Sequence, residues 1–195
     1  MERNEAISII KEHLPEKRFI HTLGVMETAI QLAKTYHCDE KLAELAAIFH
    51  DYAKYRPAEE MKQIIIQEGM PKELLAFNTE IWHGPVGAVL VKNEIGIDNE
   101  DILNAIRYHT TGRPGMTTIE KVIFLADYIE PGRSFPGVEE VRELAKKDLN
   151  GAVFRSLQNT IIFLAKKGFA IYKDTFDTYN SFLLKGGINP SYDKS

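Results

Sequence analysis

The chain has 195 residues, 44% of them hydrophobic and 27% charged, with a formal net charge of −4 and a pI near 5.9. That length suits one domain with a sizeable core, since a chain of this size buries about 70% of its unfolded surface. The acidic balance argues against a dedicated nucleic-acid binder, which carries a basic excess, but a local cluster of Lys and Arg still suffices to hold a phosphate ligand.

Taken in chain order, the N-terminal stretch MERNEAISIIKEHLPEKRF carries charges throughout and has no apolar signal-peptide core. Residues 17–36 place Ile20, Leu23, Met26, Ala29, Ile30 and Ala33 on one helix face. Cys38 is the one cysteine, so no internal disulfide is available and a reducing cytoplasm is expected. Asp39 is the expected N-cap of a helix over 39–51, followed by short helices over 58–67 and 71–77. Gly84-Pro85 reads as the N-cap and first position of a helix running to about Glu94 and stopping at Gly96. Asp98 is expected to cap 99–109, and Thr118 to cap 119–130, which Pro131 ends. Helical patterns then cover 138–147, 150–167 and 170–184, and the closing GGINPSYDKS reads as a frayed tail. Sustained period-2 alternation is lacking, so the fold class is all-α. The runs TIIFLA and VIFLA are far too short to span a bilayer, and no membrane partner is expected.

Six histidines offer candidate chemistry. His13 and His37 fall near helix C-termini, where an imidazolium is favoured and the ring is solvated. His21, His50, His83 and His109, with Asp51 and Asp127, are different. They lie at helix ends or on apolar helices, where unpaired polar and charged groups are costly. A shared cation removes that cost by turning them into ligands. On a helix His50 and Asp51 point about 100° apart and cannot both reach one remote atom along a single face, so both reach metal if they straddle two ions with Asp51 bridging. Arg18 precedes His21 by one turn, and Lys54 lies one turn beyond the His50-Asp51 pair. Arg113 and Arg133 sit in Gly- and Pro-containing loops after His109 and Asp127, and together these four cations suit a polyphosphate ligand. P-loop and Gly-x-Ser-x-Gly motifs are absent from the sequence.

The order His21, His50-Asp51, Asp127 resembles the HD superfamily of metal-dependent phosphohydrolases. The added His83 and His109 resemble its binuclear members. The strings RFIHTLGV, FHDYAK, WHGPVGA, YHTTGRPGM and LADYIEPGR closely resemble the bacterial YqeK family over roughly residues 15–180. The resemblance implies a single HD-type domain over 1–195, a compact helical bundle, and symmetrical hydrolysis of diadenosine tetraphosphate to two ADP. It implies iron as the divalent metal; on bonding grounds Mn, Co and Zn suit such ligands about as well, and Mg stays open. The expected reaction is attack by a hydroxide bridging two ions about 3.5–4 Å apart. His21, His50, Asp51 and Asp127 would hold one ion, and Asp51, His83 and His109 the other. Asp51 and Lys54 are the expected catalytic pair, and Arg18, Lys54, Arg113 and Arg133 the expected phosphate contacts. Three other readings stay open: an HD hydrolase of other nucleotides, a nucleotide sensor with little turnover, and a plain helical interaction domain. Oligomeric state is open too, a homodimer included.

Overall fold

A computed structural model of the chain describes residues 1–184, so the expected frayed tail lies outside the described residues. Among those residues the chain forms ten α-helices and no strand: α1 (Arg3–His13), α2 (Glu16–Thr35), α3 (Glu40–Phe49), α4 (Ala58–Gln67), α5 (Thr79–Leu90), α6 (Glu100–Tyr108), α7 (Thr118–Ile129), α8 (Val138–Ala145), α9 (Leu149–Lys166) and α10 (Lys173–Leu184). The all-α expectation holds. None of these helices is long and apolar enough to cross a membrane.

Helix α3 sits at the centre, packed by α1, α2, α6 and α7. Its Ala43, Ala46 and Ala47 are fully buried. Such small side chains let neighbouring backbones approach closely, and α2 lays Val25, Met26, Ala29, Leu32 and Ala33 into the fold at helical spacing. Ile48 and Phe49 then fill the space towards Leu103, Ile106, Ile123 and Leu125, all fully or almost fully buried. Burying each of these large side chains contributes about 1.5–3 kcal/mol. The packing also delivers the polar ends of α3 and α6, and inward residues of α2, α5 and α7, to one interior region.

Asp39 caps α3 as expected, its carboxylate accepting from the Lys41 and Leu42 amides at 2.8 and 3.0 Å. The helix stops at Phe49, however, and residues 50–55 continue as successive turns. Lys54 is therefore held by a turn, its amide donating to the Asp51 carbonyl at 2.8 Å, and not by a shared helix face. Asn99 caps α6 and Thr117 caps α7, each one residue from the expected Asp98 and Thr118. Neighbouring side chains of similar capping strength compete in both places, and tertiary placement decides between them.

The largest departure is α5. Its cap is Asn78, whose side chain accepts from the Glu80 amide, and Pro85 lies inside the helix, not at its start. An internal proline removes one helical hydrogen bond and normally costs about 3 kcal/mol. Here Trp82, Val86, Ala88 and Leu90 are all buried, which offsets that loss. The neighbouring Gly84 explains the motif better than a helix start does: a Cβ there would lie 2.8 Å from the Arg107 carbonyl oxygen. Gly84 thus lets α5 and α6 touch. A π-turn over Val91–Ile95 extends α5 to Gly96, which closes it in the left-handed region (φ 78°), as expected. Residues 72–76 form a 3₁₀ turn, a tighter element than the expected helix.

Candidate metal centre

Six sequence-predicted residues converge. Asp51, fully buried, is the hub. Its Oδ2 lies 2.9 Å from His50 Nε2 and 3.8 Å from His21 Nε2, while its Oδ1 lies 3.2 Å from His83 Nε2 and 4.0 Å from His109 Nε2. Asp127 Oδ1 closes the other side, 3.0 Å from His21 Nε2 and 4.0 Å from His50 Nε2. The close packing of α5 on α6 at Gly84 brings His83 Nε2 and His109 Nε2 to 3.0 Å.

The tautomers follow from the outer partners. Nδ1 of His50, His83 and His109 lies 2.6, 3.1 and 2.7 Å from the carbonyls of Ala47, Thr79 and Ile106. Nδ1 of His21 lies 3.0 Å from the Glu130 carboxylate. Those oxygens only accept, so in each ring Nδ1 carries a proton and the Nε2 lone pair is directed inward. Two lone pairs 3.0 Å apart, as in His83 and His109, repel unless a cation or proton lies between them. His21 Nε2, His50 Nε2 and Asp51 Oδ1 are also buried without a hydrogen-bond partner. Orphaned buried acceptors of this kind are expensive, and a divalent cation satisfies them together. Two overlapping triplets, His21–His50–Asp127 and His50–Asp51–His109, have donor atoms close enough to share an ion.

The electrostatics keep both carboxyls of this donor set ionised and the His109 ring neutral. Burial alone would drive the Asp51 carboxyl up, but His50 and His83 hold it well below the usual carboxylate range. Asp127 is also opposed by burial, yet His21, Arg133 and His50 hold it well below that range. Burial lowers His50 as well, and Asp51 more than reverses this, so its pKa ends raised. His109 is pushed down to about 3 by burial and by the neighbouring His83 and His50, which keeps its ring neutral.

Three of the four predicted phosphate contacts border the cluster. Arg18 pairs with Asp51. Arg133 donates to the Asp127 carbonyl at 2.9 Å and to its carboxylate at 2.6 Å. Lys54 lies 2.8 Å from Glu80. All three line a cleft of about 730 Å³ that His83, Thr110 and Asp127 also border, and Phe77, Phe163, Phe169 and Tyr172 line the same cleft. Arg113 is not brought to the cluster: it makes a two-point ion pair with the buried Glu120 at 2.9 and 2.6 Å and lies over the Tyr108 ring. His13 and His37 are exposed, with His37 in the left-handed region that ends α2 (φ 54°).

Sequence reasoning missed Glu130, Thr110 and Arg142. Glu130 is buried between Gly24 and Gly132; its second oxygen accepts from the Gly132 amide at 2.6 Å. A Cβ at Gly24 would come within 2.9 Å of that carboxylate, so glycine is what makes room for it. Thr110 Oγ1 lies 3.2 and 3.5 Å from the Nε2 atoms of His109 and His83. Arg142 donates to the carbonyls of Ile129, Glu130 and Arg133 at 2.9, 2.7 and 2.9 Å, fixing the loop that carries Glu130 and Arg133. Glu130 lies within the string LADYIEPGR, but nothing in that string marks it as a partner for a histidine 109 positions earlier.

Histidines and aspartates from packed helix ends, with Nε2 atoms turned inward, define a class. Residues 18–132 match the HD domain model, and the chain belongs to the HD-domain family. The cluster fits the divalent metal that this family implies. At closer range, the chain is 62% identical over 180 residues to a Bacillus subtilis (strain 168) protein named symmetrical bis(5'-nucleosyl)-tetraphosphatase, covering 92% of this chain and 97% of that one. A Staphylococcus aureus (strain NCTC 8325 / PS 47) protein of the same name is 44% identical over 184 residues, covering 93% and 95%. In three dimensions the chain is similar to the crystal structure of a predicted HD superfamily hydrolase involved in NAD metabolism from Clostridium acetobutylicum, with a TM-score of 0.88, 44% identity and coverage of 93% and 96%.

Proposed function

We propose that the chain hydrolyses dinucleoside tetraphosphates at the central phosphoanhydride, adding one water and releasing two nucleoside diphosphates, with diadenosine tetraphosphate giving two ADP. The observation that carries this reading is the Asp51 carboxylate, whose two oxygens face separate histidine pairs. That arrangement supports a binuclear site: His21, His50, Asp51 and Asp127 would hold one divalent ion, and Asp51, His83 and His109 the other. Iron is the proposed metal, on a donor set that also suits manganese, cobalt or zinc. When bound, the ions would supply positive charge to the phosphate oxygens and lower the pKa of an attacking water.

The chain's own residues then have distinct tasks. The carbonyls of Ala47, Thr79 and Ile106, and the Glu130 carboxylate, hold the imidazoles in the ligating tautomer. Lys54, Arg18 and Arg133 line the cleft beside the cluster, and there they would neutralise non-bridging phosphate oxygens as charge builds on the leaving diphosphate. Arg113, committed to Glu120, is given no phosphate role. Its one free cysteine fits a reducing cytoplasm, the compartment we propose for it.

Anaerobic purification with metal analysis, followed by chromatography of products from a dinucleoside polyphosphate panel, tests the reading. The expected result is stoichiometric divalent metal and two ADP from diadenosine tetraphosphate. Inorganic phosphate or pyrophosphate as the main product, or a metal-free chain with full activity, would overturn it.

A further inference from the structure

Two large clefts meet at Arg18 and Arg133. The first, of about 730 Å³, reaches the cluster at His83 and Asp127. The second, of about 850 Å³, is walled by α2 and by the loop after α7, and it reaches the cluster at His21. His83 lines the first cleft and His21 the second, and they face different oxygens of the Asp51 carboxylate, at 3.2 and 3.8 Å, so the two clefts approach the cluster past different ligand positions. Each falls within the range of about 300–1,000 Å³ that holds a small organic ligand.

On the function proposed above, cutting the central anhydride leaves an identical half on either side of the reacting bond. Each half carries two phosphates and a nucleoside, so a centre that cuts there needs a seat at both ends. In the first cleft, Phe163 and Phe169 are 54% and 59% exposed, and Phe77 meets Tyr172 edge-on at 5.0 Å. In the second, Ile20, Tyr55 and Phe135 are 61%, 57% and 36% exposed. Phe135 is braced edge-on by Tyr128 at 5.0 Å, and Lys17 and Ser134 add polar groups to that wall. Large apolar side chains left in water around a polar centre are what a nucleobase needs for stacking.

We propose that the second cleft is a nucleoside diphosphate seat, with Ile20, Tyr55 and Phe135 against the base, and that it holds the half of the substrate not seated against Phe163 and Phe169. The two seats are chemically unlike, so a symmetrical substrate is held asymmetrically and its two identical products leave from different surroundings. Tyr55 is more than half exposed and Phe135 about a third, and neither belongs to the buried core, so both can be truncated without opening it.

The test is a calorimetric titration of ADP into the metal-loaded chain, alongside steady-state kinetics of the double variant Tyr55→Ala/Phe135→Ala. The parent is expected to bind two ADP with distinct affinities. The double variant is expected to bind one, with a KM for diadenosine tetraphosphate raised about tenfold, the effect of a lost base–aromatic stack. Phe169→Ala is expected to weaken the other ADP and leave the Tyr55 seat intact. A parent that binds one ADP would overturn the inference. So would a double variant with both ADP sites and the parental KM, or one whose sole defect is a change from dimer to monomer in gel filtration. Failure of the proposed function is a separate result: the parent would then release no ADP from diadenosine tetraphosphate.

Discussion

At the scale of single residues, the site is a problem of proton placement. Each imidazole donates from Nδ1 to an oxygen that cannot donate back, and this leaves Nε2 as a lone pair in an interior region. Glu130 does this for His21 as a carboxylate, where the other three rings have backbone carbonyls. Glu130→Gln is expected to weaken metal binding about 10–100-fold, measured by competition with a chelator, while the helical circular-dichroism signal stays unchanged. His37→Ala is expected to leave metal content and turnover within error of the parent, because His37 is exposed where α2 ends. The six cluster residues were legible because each sits in a short, distinctive string. Glu130 was not, because its role depends on the shallow faces of Gly24 and Gly132, which chain order does not reveal. Arg113 and Arg133 read alike as loop cations, yet one loop turns its guanidinium to the buried Glu120 and the other to Asp127.

At the scale of elements, the close crossing of α5 and α6 decides whether His83 and His109 meet. Gly84 has no room for a Cβ, since the obstacle is the Arg107 backbone carbonyl and not a side chain that can swing away. Gly84→Ala is expected to cost about 1–3 kcal/mol, read as a lower urea midpoint with an unchanged slope, and to reduce metal content as the two rings are pushed apart. The same crossing shows why local signals misplaced the start of α5. Proline is common in a helix's first turn, so Gly84-Pro85 looks like a beginning when only neighbours in sequence are weighed. The burial of Trp82, whose indole N–H donates to the Leu74 carbonyl at 2.6 Å, extends the helix back to Asn78. Helices with an unambiguous cap and a clean apolar stripe, such as α3 behind Asp39, were legible from the residues alone.

At the scale of the whole molecule, α2, α3, α5, α6 and α7, with the turn after α3, bring their polar residues to one interior point. Without a cation that point leaves buried acceptors unpaired, so metal binding and folding are coupled. Saturating the chain with its metal at a hundred times the Kd is expected to add about 2.7 kcal/mol of stability, seen as a rise in Tm that a chelator reverses. An unchanged Tm would separate the cluster from the stability of the fold. On the proposed function Asp51 bridges two divalent ions, and anomalous scattering from a crystal of the anaerobically purified chain tests that bridge. Two peaks are expected to flank the Asp51 carboxylate, one beside His21, His50 and Asp127 and one beside His83 and His109. A single peak, or peaks held by residues outside this set, would contradict it.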